Sequence, residues 1–299
     1  MVTTAQTTVS AARTRASTHP VRRGPDPKII LYGVAAVLAI VVFVVPLLWA
    51  LMRSLQPGDV ITAPPDASTF FQLTWDNFRG IAAEGHIPRA VGNSLIVSLG
   101  TAVVTTVLAT LAGYGFGRFR FRGSNVAFAL VIVTLMVPFQ AILTPLFLQL
   151  NAMRLTDNLL GLVLFYSTMN LPFGVFVMRT AFAAVPDALE EAARIDGAGV
   201  TRTLTHVLRP LVVPGMATTA LYAFLAAWTD FLGALTFLTQ QELYTLPVSL
   251  VNLQQGAYGQ IDYGFLSAGA VIAMIPCVIL FVSLQRYYVA GLSAGAIKG

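Results

Sequence analysis

The sequence predicts an all-α integral membrane protein with six transmembrane helices, and three observations predict it. Only 10% of the 299 residues are charged, whereas a soluble domain carries about 25%. The mean hydropathy is +0.75. The apolar residues, 56% of the chain, are gathered into long blocks instead of the spaced stripes of a soluble helix. A β-barrel requires short alternating segments, and the continuous apolar run Val34–Trp49 has no such alternation. Together these exclude a disordered protein and an ordinary soluble enzyme. The net charge of +5 is compatible with nucleic-acid binding, but membrane topology accounts for it better. One cysteine, Cys277, rules out an internal disulfide and a cysteine-based metal site.

Residues 1–28 are rich in Thr, Ala and Arg, contain no apolar run, and are expected to form a disordered cytoplasmic tail. Arg22-Arg23 resembles a twin-arginine signal. The apolar run after it is too long for a signal-peptide core and no A-x-A site ends it, so the first helix is expected to be retained. Residues 29–299 are expected to form one six-span transmembrane domain. A span needs about 20 mostly apolar residues, and the blocks that qualify are Ile29–Met52, Val91–Phe116, Val126–Leu150, Leu159–Phe182, Leu211–Leu238 and Leu266–Val289. With the N-terminus inside, 14 of the 18 basic residues fall on cytoplasmic segments. The positive-inside rule therefore places both termini in the cytoplasm. The long segment Ser54–Ala90, with Pro57, Pro64, Pro65, Trp75 and Phe78, is expected to fold back on the outer surface.

Several spans carry prolines: Pro138 and Pro145 in the third, Pro172 with Gly174 in the fourth, Pro276 in the sixth. Each removes a helical hydrogen bond and crowds the preceding turn. Two readings stay open, a packing kink or an unwound helix beside a transport path. Gly113 and Gly117 form a small-x-x-x-small pair suited to close helix packing within the chain. The basic turn from Arg118 to Gly123 is read as topology-setting and as a contact for lipid headgroups.

Between the fourth and fifth spans, residues 186–210 do not fit a bare connecting loop. Pro186 suits the first helical position. Asp187, Glu190 and Glu191 sit at the positive end of the helix dipole, and Glu190 with Arg194 is a favourable i, i+4 pair. Gly197 ends the helix where a left-handed residue is least costly. A second helix over Val200–Leu208 is expected to stop at Pro210. This helical hairpin, acidic at its start and rich in small residues, is a docking surface for a cytoplasmic partner and a poor lipid anchor.

These residues resemble the EAA loop of binding-protein-dependent ABC importer permeases, in Glu191-Ala192-Ala193, Asp196-Gly197, Pro210-Leu211 and Pro214. Further matches are Asn93-Ser94-Leu95, Tyr114 with the following basic turn, Leu171-Pro172-Phe173, Tyr244-Thr245-Leu246-Pro247, and the tail from Gln285 to Gly299. The resemblance covers nearly all of residues 29–299 and is to the carbohydrate-uptake branch, in its smaller, second permease of the maltose type with a MetI-like transmembrane fold. It implies a second homologous permease, two ABC ATPase subunits holding ATP and Mg, and an extracytoplasmic solute-binding lipoprotein. It also implies that Glu190, Glu191, Ala192, Ala193, Asp196, Gly197, Ala198 and Leu204 couple to the ATPases, with the tail Ser293–Gly299 as a further contact. The family often has aromatic residues where this chain has Thr201 and Leu204, and apolar ones in place of Arg209.

No catalytic constellation is legible. His19, His86 and His206 lie in separate segments, and there is no G-x-x-x-x-G-K-[ST] phosphate loop. No metal site and no cofactor bound by this chain is expected. Asp230, an ionisable residue within the fifth apolar block, is a functional-site candidate by default, either touching a sugar hydroxyl or satisfying an interhelical bond. Trp228, Asn170 and Gln140 complete the expected substrate pathway. The alternatives are an importer permease for a polyamine or peptide, and an ion-coupled secondary transporter. The latter would need more intramembrane acids or histidines.

Overall fold

The computed structural model describes residues 27–62, 72–83, 86–255 and 262–296. The chain divides into two compact units, residues 1–48 and 49–299. Of the tail expected over residues 1–28, residues 1–26 lie outside the described residues; Pro27 already opens helix α1, Pro27–Ser54. Every side chain from Leu31 to Trp49 is exposed. A helix this apolar, at a hydropathy of 2.9, with no polar face is built to be surrounded by lipid.

The second unit contains α2 (Gly58–Thr62), α3 (Asp76–Ala83), α4 (His86–Arg118), α5 (Ser124–Val133), α6 (Phe139–Ala152), α7 (Leu159–Ala183), α8 (Asp187–Ile195), α9 (Val200–Arg202), α10 (Arg209–Thr229), α11 (Leu232–Phe237), α12 (Leu246–Gln255) and α13 (Tyr263–Ala296). No strand occurs among the described residues. Among the described residues, five helical stretches are long and apolar enough to span a membrane, and the bent pair Ser124–Met136 and Phe139–Ala152 makes a sixth if counted as one span. The chain is therefore a multi-span membrane protein. The long segment after α1 folds back through Asn77, whose buried amide donates to the carbonyls of Ser54 (2.9 Å) and Gln56 (2.8 Å).

The centre of the bundle is α4 against α7, with α10 beside both. In lipid, helices associate by close packing and hydrogen bonding more than by hydrophobic burial. Gly113 meets the backbone of α7 so closely that an added Cβ would stand 2.8 Å from the Arg179 nitrogen. A Cβ on Gly174 would stand 2.8 Å from that of Ala109. The Gly113–Gly117 pair thus serves packing within the chain. Ser98, Thr101 and Thr105 are fully buried along α4.

Three expectations about the spans are corrected. The third span is not one helix. A 3-10 turn at Thr134–Met136 ends in extended Val137 and Pro138, and α6 leaves at 100°. Pro138 excludes its predecessor from the helical region, which is what turns the chain. Pro145, Pro172 and Pro276 lie inside continuous helices, so of these four prolines Pro138 alone makes a break. The fifth span ends at Thr229, and Asp230 is extended, with ψ at 132°. Finally, Pro210 does not stop the hairpin's second helix, because Val200–Thr229 runs on as one 30-residue helical stretch. A π turn at Thr203–Leu208 widens the helix just before the proline, and Arg209 N–H donates five residues back to Leu204. The wider turn accommodates a ring that an ordinary helix interior would reject.

Candidate functional site

The hairpin is built from its caps inward. Pro186 stands at the N-cap of α8, one position earlier than its sequence role predicts. At the other end, Gly197 has φ 76°. Its N–H donates to Arg194 (3.0 Å), and the Ala198 N–H donates to Ala193 (2.9 Å). This paired closure needs a left-handed residue at Gly197, which glycine adopts without a steric penalty. The chain then reverses into α9 and the π turn.

The expected coupling residues divide between two faces. Glu191, Ala192, Asp196 and Gly197 are exposed; Ala198 and Leu204 are half-buried. The apolar side chains of Leu189, Ile195 (86% exposed) and Val200 are also left exposed on the hairpin. Glu190 and Ala193 are buried instead, at 7% exposure each. Glu190 Oε1 stands 2.7 Å from Arg118 Nε, and Oε2 stands 3.6 Å from Arg194. Arg118 also donates to Asp187 (2.6 Å) and to the Val185 carbonyl (2.7 Å). Its side chain is only 7% exposed. This corrects the assignment of Arg118 to topology and lipid alone: the last residue of α4 grips α8.

A cavity of about 700 Å³ opens between the α5–α6 break, α7 and α10. Aromatic Phe139, Phe165, Tyr166 and Tyr222 line it together with Asn170 and Asp230. Asp230 Oδ2 accepts from the Tyr166 hydroxyl (2.7 Å) and from the Gly233 N–H (2.7 Å). The second bond caps the restart of the chain as α11, the role short acidic side chains fill at helix starts. Asp230 therefore sits at a break between helices, not inside a span. Asn170 is buried and donates to the Tyr166 carbonyl (2.7 Å). Two of the four pathway residues share this cavity; the other two do not. Trp228 donates to the Ala273 carbonyl of α13 (3.0 Å) and stacks on Phe224, and Gln140 is exposed outside the lining.

Beyond the cavity, the turn between α6 and α7 is tied to the segment after α11. Asp157 accepts from the Thr239 N–H, the Thr239 hydroxyl (2.8 Å) and the Gln240 N–H (3.2 Å). The Thr239 backbone N–H is the main cause that holds the Asp157 carboxyl below the usual carboxylate range.

With this geometry, residues 106–294 match the family described as binding-protein-dependent transport system inner membrane component. The chain belongs to this family. The matched stretch takes in the hairpin, Arg118 and the Asp230 cavity, so this permease carries both regions inside its family domain. It is 33% identical to the trehalose transport system permease protein SugB of Mycobacterium tuberculosis, over 85% of this chain and 92% of that protein. It is 34% identical to the arabinooligosaccharides transport system permease protein AraQ of Halalkalibacterium halodurans, over 91% of this chain and 96% of that one. Its fold matches a chain of a bacterial ABC transporter involved in alginate import, with a TM-score of 0.73 and 21% identity, over 88% of this chain and 95% of that chain.

The structure also joins stretches of the permease that the sequence shows only as separate motifs. Asn93 donates to the Glu242 (2.9 Å) and Tyr244 (3.1 Å) carbonyls, and the Leu246 N–H donates to Ser94 Oγ (2.8 Å). Tyr166 and Arg118 were not among the expected site residues. Their partners lie 64 and 69 positions away, so no local spacing reveals them. The tail Ser293–Gly299 lies outside the residues whose side chains are described.

Proposed function

We propose that this chain is the permease subunit of an ATP-driven carbohydrate importer. In this reading it forms half of the translocation path beside a homologous permease. It accepts its solute from an extracytoplasmic binding protein and is worked by two ABC ATPases that hold ATP and Mg. The observation that carries the reading is the match, along nearly the whole chain, to permeases named for trehalose and arabinooligosaccharides. The distribution of 14 of 18 basic residues supports a cytoplasmic hairpin and cytoplasmic termini.

The chemistry agrees. The exposed face of α8 offers Glu191 for a basic partner, beside Ala192 and Ile195 for apolar contact. ATP-driven closure of the ATPases would move this face and switch the cavity between the two sides of the membrane. The cavity presents aromatic rings, which pack against the C–H faces of a sugar, and the Asp230 carboxylate, which accepts from a hydroxyl. This chain then supplies no catalytic group; hydrolysis belongs to its partners.

The test is uptake in proteoliposomes holding both permeases, the ATPases and the binding protein, after calorimetry has identified the binding protein's ligand. ATP-dependent accumulation of an oligosaccharide is expected, with a marked fall on Glu191→Lys at unchanged membrane level. Accumulation by vesicles holding this chain alone, or a binding protein selective for polyamines or peptides, overturns the reading.

A further inference from the structure

We propose that α4 is the rod that carries motion between the hairpin and the α12 segment on the opposite side of the membrane, and that Arg118 is the positioning residue joining hairpin to rod. The proposal rests on the functional reading above and adds a route to it.

Three observations converge on α4. At its C-terminal end, the buried Arg118 side chain contacts Asp187, Glu190 and the Val185 carbonyl. A planar guanidinium that donates to Asp187 and to the Val185 carbonyl, and is ion-paired with Glu190, holds α8 and its lead-in against swinging about Val185-Pro186. Toward the other end, Asn93 and Ser94, both buried, hold the Glu242, Tyr244 and Leu246 backbones at the start of α12. Between the two grips, α4 runs unbroken and without an internal proline. At 1.5 Å per residue the grips are about 38 Å apart, enough to cross a hydrocarbon core of about 30 Å. The close approach of α7 at Gly113 and Gly117 leaves little room for α4 to flex on its own.

Glu190 accordingly acts inward. The adjacent Glu191 faces the partner, while Glu190 fastens the moving surface to α4. A push on α8 displaces α4 as a body, and a load placed on the α12 segment returns along the same helix. Contiguity alone does not establish a path, so the test is of coupling.

In the reconstituted complex, the ratio of ATP hydrolysis with and without loaded binding protein is measured for wild type, Arg118→Gln, Asn93→Ala and the double variant, with ATPase retention checked by pull-down. Each single variant is expected to retain the ATPases and lower the ratio by about tenfold, within the usual span of coupling energies. The double variant is expected to fall no further, since both changes cut one route. A wild-type ratio for Arg118→Gln, or a double variant that multiplies the two losses, overturns the rod. Wild-type vesicles that never couple hydrolysis to uptake overturn the functional reading and the rod together.

Should Arg118→Gln fail to assemble, spin labels on Leu111→Cys and Ala188→Cys in a Cys277→Ser background report on the intact grip. Their separation is expected to hold within about 2 Å through the ATP cycle, the scale of small helix shifts. A change of more than about 5 Å, a full helical turn, overturns the proposal.

Discussion

Glu190 and Asp230 are both carboxylates that fasten a junction, and they do it in different ways. Glu190 is buried beside a guanidinium, with a second arginine at its other oxygen. Asp230 accepts from neutral donors, the Tyr166 hydroxyl and the Gly233 N–H, and has no cationic partner among the described residues. A charge taken from water is costly unless paired, and a buried pair holds its geometry firmly once made. The hairpin is thus locked as one piece, whereas the helix break at Asp230 is held by bonds a ligand hydroxyl can replace. On the proposed function, rigidity falls where force would enter and exchangeable bonds where cargo would pass.

Four experiments break or sharpen that contrast, and they differ in expected size. Arg118→Ala leaves Glu190 without the guanidinium at its buried oxygen and is expected to destabilise the purified permease by about 3–5 kcal/mol; a thermal midpoint close to wild type would show that the grip is not a buried ion pair. Tyr166→Phe removes one bond to a charged group and is expected to cost about 1.5–3 kcal/mol, with a change in sugar uptake at equal protein level. If the cost matches that of Arg118→Ala, the two junctions are not built differently.

Gly197→Ala forces a β-carbon into the left-handed turn and is expected to cost about 1–2 kcal/mol. Gly197→Asn is expected to cost less, since asparagine tolerates that conformation, and both are read from midpoints in detergent. The smallest effect belongs to Asp157. Its folded-state pKa is lowered from 3.8, so its contribution is complete above that value and is lost as pH falls through the folded value. A melting series from about pH 5 to about pH 2 is expected to show wild type losing more stability than Asp157→Asn. Parallel curves would remove the carboxylate from the clamp that ties the α6–α7 turn to Thr239.

Much of this fold is written locally. The apolar blocks announce the spans because transfer into lipid sums along about 20 neighbouring residues, and the end of α8 is legible in Asp196-Gly197 because a cap depends only on residues beside it. The break at Pro138 and the continuity through Pro210 were not legible from proline alone. A ring in the chain excludes one backbone geometry, and whether the helix turns away or widens into a π turn depends on what it packs against. Asp230, a short acidic residue ahead of the apolar run that starts at Phe231, is a helix-start signal that could have placed the break after Thr229.

The sequence by itself determined that this chain enters the membrane repeatedly and carries a helical elbow between its fourth and fifth apolar blocks. Only the tertiary structure decided which of two adjacent glutamates faces in. Neighbouring residues on a helix point about 100° apart, and the side that Glu190 takes is set by Arg118 at the end of a helix far away in the chain. Hydrophobicity is a property of a stretch and can be read along it; an ion pair belongs to two positions at once and exists only after the chain has brought them together.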